Sequence, residues 1–451
     1  MDEERPTDQI SRRDAFKRML WGAAGLALAG RGLAFAQTAA GPAPAAAQTA
    51  KAKAVIQIWL WGGAPQLDTF DPKPDAGYNY CGPLNSPIDT NVPGIKIGQL
   101  LPQLAQLADK YSIIRSMTHG INGHETAAYI TQTGHRPGGR LVFPCIGAIV
   151  SKFKGYEGGY TGLVPPYVVL TQPQGRFDEA GFLGPRYKPF ATGGDPNQQR
   201  FVVEGVVAQN ITDDRQRSRR ELMHELDSLK QAMPEHPQSV KLDACETKAY
   251  DMILGDAGKL FDLSQEATEL RQRYGRNTFG QSCLMARRLV EAGVPYVTIN
   301  YGGWDTHKQH FETMRWKLPQ MDAGMATLLQ DLEDHDLLDS TIVWWSGEFG
   351  HTPRIAWEAP WNGGRHHFGA CFSAVLAGGG FKGGQVVGAS DATGEHVAER
   401  PVSPQDLLGS MCELLGIDPD SPLPNPRGLD LKVMASDEEP AEGAGRLKEI
   451  M

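Results

Sequence analysis

Six of the twelve histidines stand in four short glycine-bearing stretches, and a fifth stretch of the same kind carries two aspartates. The five are Gly62-Gly63-Ala64-Pro65-Gln66-Leu67-Asp68-Thr69-Phe70-Asp71, Thr118-His119-Gly120-Ile121-Asn122-Gly123-His124-Glu125, Gly302-Gly303-Trp304-Asp305-Thr306-His307, Ser346-Gly347-Glu348-Phe349-Gly350-His351 and Gly363-Gly364-Arg365-His366-His367. Imidazole nitrogen and carboxylate oxygen together make the ligand set of zinc, manganese and similar divalent ions. Thiolates do not compete for the role, because the six cysteines include no C-x-x-C pair. Glycine pairs beside the ligands let the backbone come close to an ion or anion. Singly, each stretch is ordinary: Asp-x-His is commonly a turn, and a Glu after a strand is commonly a cap or a salt-bridge partner. Jointly they predict a divalent metal site for zinc, manganese or calcium.

Elements must bring these stretches together. Apolar runs over 55–61, 112–115, 167–170, 294–300, 341–345 and 372–376 read as buried strands. Helical spacing is present over 100–110, 125–133, 213–233, 265–274, 282–292, 318–335 and 403–415. Gly134 stops the second of these helices, while Ser403 and Gly416 cap the last. Strands alternating with helices predict an α/β fold, with a mostly parallel central sheet and helices on both faces. In such sheets ligands bind in loops beyond the C-terminal strand ends. Four of the five stretches directly follow strands, and the fifth precedes the run at 372–376. Five of the six remaining histidines read otherwise: His135 as a loop residue, His224, His236 and His335 as solvated, and His310 as a helix-start residue. The Gly378–Gly384 stretch lacks P-loop spacing and reads as a turn.

The N-terminus reads as an address. Ser11-Arg12-Arg13-Asp14-Ala15-Phe16-Lys17 resembles a twin-arginine export signal. A Gly/Ala-rich apolar run and the cleavage pattern Ala34-Phe35-Ala36 follow it. The expected layout is a signal peptide over 1–36, a flexible linker over 37–52, one large domain over 53–435 and a mobile tail over 436–451. The apolar run is too short for a mature transmembrane helix. Export by the twin-arginine machinery to the periplasm or the extracellular space follows as the expectation. The net charge of −9 and the lack of a basic stripe argue against nucleic acid as a partner. Most cysteines lie in apolar runs and read as small buried residues.

Several motifs carry a family resemblance. They are Gly62 through Asp71 continued by Pro72-Lys73-Pro74, Gly303-Trp304-Asp305-Thr306-His307, Gly347-Glu348-Phe349-Gly350 with Thr352-Pro353, and Gly379-Gly380-Phe381-Lys382-Gly383-Gly384. These resemble the exported bacterial family called domain of unknown function 1501, which is similar to the alkaline phosphatase/sulfatase superfamily. The resemblance covers about residues 53–418. It implies an alkaline phosphatase/sulfatase-like fold with carboxylates and histidines on successive strand ends holding one or two divalent metals. By that resemblance Asp305 and His307 look like a ligand pair, His367 like the last histidine ligand, and Asp68 or Asp71 like the first carboxylate. Glu348 takes the place of an Asp-His pair. His366 stands where an Asp is expected, yet could still bind metal, and His351 stands where an Arg is expected.

In sulfatases a Cys or Ser nucleophile begins a helix that ends in Thr-Gly. Thr133-Gly134 ends such a helix here, and the matching start is His124. Either His124 binds metal or acts as base or nucleophile, or activated water attacks directly. The expected function is metal-assisted hydrolysis of a small anionic ester or of a sulfated or phosphorylated glycan. The rival readings are a non-catalytic metal-containing envelope protein that binds a glycan or protein partner, and a metal-dependent phosphomutase or transferase.

Overall fold

The apolar run after Lys53 forms strand β1, Ala54–Trp59, in which every residue is buried. Its side chains divide by period two: Ile56 and Ile58 enter one hydrophobic core, while Val55 and Trp59 enter a second core on the opposite face. That two-sided burial is what a strand at the centre of a helix-covered sheet requires. In the computed structural model of the chain, the residues described are 50–173, 179–203, 255–434 and 445–451, with isolated positions between 206 and 222. The signal-peptide region and most of the helix expected over 213–233 lie outside them.

Seven further strands complete an eight-stranded sheet. They are β2 (Tyr111–Met117), β3 (Tyr167–Leu170), β4 (Phe190–Ala191), β5 (Tyr296–Asn300), β6 (Thr341–Ser346), β7 (Phe372–Ala377) and β8 (Gln385–Val387), in the order β8-β2-β7-β6-β1-β5-β3-β4. Strand β1 pairs parallel with β5 and β6, β3 parallel with β5 and β4, and β8 parallel with β2. Only β7 runs antiparallel, to both β2 and β6. The expected mostly parallel sheet is therefore present with one reversed strand. That reversal matters for the site. An antiparallel strand begins at the rim where its parallel neighbours end, so the loop before β7 joins the loops after β1, β2, β5 and β6.

Helices cover both faces. Helices α3 (Thr278–Glu291) and α4 (His310–Asp334) pack into the first core, while α1 (His124–Thr133), α2 (Ile146–Val150) and α5 (Pro404–Leu414) pack into the second. The side chain of Asn277 caps α3 by accepting from Gly280 N–H, and Ser403 forms a reciprocal capping box with Asp406 at α5. Gly134 ends α1 in the left-handed region, at φ 74°. Helix α4 starts eight residues before the expected 318, with Pro319 in its interior. Proline ordinarily marks a first helical turn, and this misplaces the start when only sequence is read. Helix content is lower than expected over 100–110 and 265–274. There only Pro102–Ala105 and Thr268–Arg273 are α-helical, flanked by single 3-10 turns.

The five described cysteines are buried. Among the described residues no helix is long and apolar enough to cross a membrane. The mobile tail expected over 436–451 needs correction at its end. Leu447 and Ile450 are buried in the second core, and Ile450 O accepts from Lys382 N–H at 2.7 Å.

Candidate metal centre

Gly62 and Gly63 make the meeting of three loops sterically possible. Both have positive φ, 105° and 78°. A Cβ on Gly62 would lie 2.3 Å from Asp305 N, and one on Gly63 would lie 2.4 Å from Phe349 O. The β1 loop thus presses directly against the Asp305 and Glu348 loops. Trp304 N donates to Trp61 O at 3.2 Å and ties the first two together. His367 is set by a two-residue antiparallel pairing, His367–Phe368 with Gly350–His351. His124 is the first residue of α1, after Gly123 as N-cap.

These supports bring four predicted residues to one place. Ligand atoms of His124, Asp305 and His367 all lie within 4.8 Å of one another. Asp305 Oδ1 is 2.8 Å from His307 Nε2 and 3.0 Å from His367 Nε2, and Asp305 Oδ2 is 3.3 Å from His124 Nε2. The two Nε2 atoms of His307 and His367 are themselves 3.0 Å apart. Ligands about 2.1 Å from a tetrahedral zinc are separated by roughly 3.4 Å, close to these spacings.

The far side of each imidazole supports the same assignment. Nδ1 of His124 lies 2.7 Å from Glu348 Oε1, Nδ1 of His367 lies 2.8 Å from Asn122 O, and Nδ1 of His307 lies 3.0 Å from His366 Nδ1. A carbonyl or carboxylate oxygen only accepts, so the Nδ1 atoms of His124 and His367 carry protons; their Nε2 atoms meet Asp305 and would turn lone pairs to an ion bound there. Orientation of ligating imidazoles by outer acceptors is the usual construction of metal sites. The residues present therefore fit a divalent ion held by His124, Asp305 and His367, with His307 beside the last two as a further candidate ligand.

Electrostatics follow from one exposed carboxylate among imidazoles. Hydrogen bonds to Asp305 and then Glu348 raise the His124 pKa to about 9. Burial pushes Asp305 up, but hydrogen bonds from His124 and His367 and the nearby imidazoles carry it well below the usual carboxylate range. His307 is lowered by burial and by the neighbouring histidines, against the pull of Asp305. Glu348 is fully buried, and burial raises its pKa against the opposing hydrogen bonds of His124 and Gly62 N–H.

The other predicted residues are placed differently. Glu348 stands behind His124 as its orienting partner, with Oε1 shared between Gly62 N–H and the imidazole. His366 stands behind His307 and meets the Trp361 ring edge-on at 4.7 Å. Asp68 and Asp71, the expected first carboxylates, both lie outside the cluster. Asp68 is buried against Arg365 Nε at 3.2 Å and His310 Nε2 at 2.9 Å. Burial raises its pKa, but the Arg365 guanidinium and His310 bring it below the ordinary value. Asp71 pairs with Lys73 and Arg115 and accepts from Ser390 Oγ. A residue's type gives its chemistry, and here the turn from 65 to 71 aims Asp68 at the buried Arg365 and Asp71 at the half-buried Lys73 and Arg115. His351 is buried with Nε2 on Gly62 O at 2.9 Å, and His119 has Nε2 on Glu348 O at 2.7 Å.

Sequence reasoning missed three supports. His310, read as a helix-start residue, joins Asp68 through Nε2 and Thr306 Oγ1 through Nδ1 at 2.6 Å. Arg365 donates its backbone N–H to Thr306 O and its guanidinium to Thr352 O. Asn122 supplies the carbonyl behind His367. Each neighbours a ligand in sequence, and that adjacency was the available signal.

Fold and site together define an α/β protein with a histidine-carboxylate cluster at the C-terminal rim of its sheet. The chain belongs to the family described as Protein of unknown function (DUF1501), whose profile matches residues 52–442. No curated protein sequence matches it. Solved structures similar to it include Ps i-CgsB in complex with k-i-k-neocarrahexaose, at 13% identity and TM-score 0.39, covering 81% of this chain and 72% of that one. The lipoteichoic acid synthase LtaP from Listeria monocytogenes is similar at 9% identity and TM-score 0.38, covering 85% and 75%. A protein in the alkaline phosphatase superfamily from Vibrio parahaemolyticus is similar at 12% identity and TM-score 0.38, covering 81% and 67%.

Proposed function

We propose that this protein is an exported, metal-dependent hydrolase of phosphate or sulfate esters. The observation that carries the reading is the convergence of His124, Asp305 and His367, with His307 beside the last two, and with the Nδ1 atoms of His124 and His367 each facing an oxygen acceptor. A divalent ion held by His124, Asp305 and His367, with His307 beside them, would supply Lewis-acid polarisation of an ester oxygen and lower the pKa of an attacking water. The chain supplies the rest. The first amides of α1, which have no partner within the helix, begin at His124 and offer N–H donors to the anionic ester. Phe349 stacks on His367 at 4.6 Å and Trp61 on His124 at 5.4 Å, which holds both rings and excludes water from their faces. His124 belongs with the ligands in this reading, so water rather than a side chain attacks. Export rests on the twin-arginine-like stretch at 11–17 and the Ala34-Phe35-Ala36 pattern.

The test combines two measurements on the purified mature protein. Elemental analysis should find bound divalent metal in the wild type and little in the Asp305→Ala, His307→Ala double variant. Aryl phosphate and aryl sulfate esters should be turned over by the wild type and not after chelation. Unchanged metal content in the double variant overturns the site. Metal without turnover of any ester overturns the hydrolase reading and leaves the site standing.

A further inference from the structure

Asp305 and His307 meet at the cluster, while Thr306 between them is buried. Its Oγ1 lies 2.6 Å from Nδ1 of His310, the first residue of α4, and Nε2 of the same imidazole lies 2.9 Å from Asp68 Oδ2. The directions of these bonds follow from the carboxylate. It only accepts, so His310 Nε2 carries the proton, Nδ1 accepts, and the Thr306 hydroxyl donates. Burial lowers the His310 pKa against the pull of Asp68, in keeping with a neutral ring.

A second arm starts from the same oxygen. Asp68 Oδ2 lies 3.2 Å from Arg365 Nε, and both side chains are buried. Arg365 shares its loop with His367, and its backbone N–H donates to Thr306 O at 3.2 Å. The contacts close a ring: Asp68 to His310 to the Thr306 side chain, through the Thr306 backbone to Arg365, and back to Asp68. Beside that ring the two ligand-bearing loops touch backbone to backbone. A Cβ on Gly364 would lie 1.8 Å from His307 O, so no side chain at that point sets the distance between them. Asp68 is itself tightly backed, since a Cβ on Gly98 would lie 2.1 Å from Asp68 O. Removing one member of such a buried network leaves its neighbours without a partner.

We propose that Asp68 is a positioning residue of the metal cluster. Acting through His310 and Thr306 on one loop and through Arg365 on the other, it sets the separation of Asp305 and His367, whose Oδ1 and Nε2 are 3.0 Å apart. The carboxylate expected from the sequence as a first ligand thus serves the ion without touching it. The effect on metal affinity rests on the metal-site reading; the effect on spacing does not.

The test competes zinc between a metallochromic chelator and the metal-free mature protein. Thr306→Val keeps the size and removes the donor to His310; it should weaken zinc binding on the order of tenfold, the lower end for an outer partner. Thr306→Ser, which restores the hydroxyl, should stay within about threefold of the wild type. Asp68→Ala releases both arms and should weaken binding at least as much as Thr306→Val. Adding Thr306→Val to Asp68→Ala should change affinity by no more than about threefold, because the Thr306 arm acts through Asp68. Scanning calorimetry of each metal-free variant reports folding. A role confined to stability lowers the melting temperature and leaves zinc affinity at the wild-type level, which overturns the proposal. Fully additive losses in the double variant overturn it too, as does a Thr306→Ser protein no better than Thr306→Val. If Asp68→Ala does not fold, the two Thr306 variants decide. A wild type that binds no zinc overturns the metal site, and spacing then decides this inference. Crystal structures of the metal-free wild type and Thr306→Val should differ in the Asp305–His367 separation, and an unchanged separation overturns it.

Discussion

Glu348 lies outside the proposed ligand set yet orients one member of it. Its Oε1 accepts from Gly62 N–H at 2.8 Å and lies 2.7 Å from His124 Nδ1, so one buried oxygen fixes both a backbone turn and a ligand's tautomer. Glu348→Ala should lower metal affinity by roughly 10- to 100-fold, as removal of an outer orienting partner does. Glu348→Gln keeps an amide oxygen in the same place and should recover most of the loss. Competition against a metallochromic chelator measures both, and equal affinity in wild type and Glu348→Ala would sink the orienting role. An Asp-x-His after a strand and a His before one singled out Asp305, His307 and His367 in the sequence, and the fold brings these three side chains together. The sequence could not separate Glu348 from a ligand, nor Asp68 from a second one. Both are carboxylates in the right loops, and only side-chain direction distinguishes them.

At the scale of elements, the site depends on loops held in register by their backbones. Gly62→Ala places a methyl group 2.3 Å from Asp305 N at a φ of 105°, where side chains are strained even without a neighbour. The substitution should displace the Asp305 loop and abolish metal retention on gel filtration; a metal-replete Gly62→Ala protein would contradict the packing described. A second element-level device lies far from the site. Asp322 on α4 accepts from Gln103 N–H at 2.9 Å and Leu104 N–H at 2.8 Å, holding the start of the Pro102–Ala105 helix. Burial raises its pKa to about 6, against those hydrogen bonds. A carboxyl raised on folding binds its proton more tightly in the native state. Its contribution to stability is full below about pH 4 and is lost as pH rises through about 6. Relative to Asp322→Asn, the wild type should lose on the order of 2–3 kcal/mol between pH 4 and pH 7. Urea midpoints of both proteins at four pH values give the difference, and a pH-independent difference would refute the assignment. The strands were legible as unbroken apolar runs, since a sheet covered on both faces needs no polar alternation. The reversed direction of β7 was not, because strand direction is set by the path of the connecting loop and not by the composition of the strand. The start of α4 was hidden by Pro319.

The whole molecule is closed by its last seven residues, and their attachment can be weighed. Leu447 and Ile450 are fully buried in the second core, beside α5. Leu447 N donates to Ser410 Oγ at 2.9 Å, within α5, and Ile450 O accepts from Lys382 N in the turn before β8. Arg400 Nε meets Glu449 at 2.8 Å, and Lys448 pairs with Glu413. The ion pairs are largely solvent-exposed and add at most a few tenths of a kcal/mol each. Burial of the two aliphatic side chains contributes about 1.5–3 kcal/mol apiece, against which stands the entropy of ordering the segment. Composition hid this: a Glu/Gly-rich stretch reads as a tail, and two aliphatic residues among charges do not form a periodic pattern. The segment packs at α5 and β8, whereas the cluster sits in the loops after β1, β2, β5 and β6. Truncation after residue 444 should therefore lower the melting temperature by several degrees while metal content stays at the wild-type level. Scanning calorimetry and elemental analysis of the truncated protein separate the two effects. An unchanged melting temperature would mean that Leu447 and Ile450 are not packed as described, and a loss of metal would mean that the second core and the metal loops are coupled more tightly than their placement on the sheet implies.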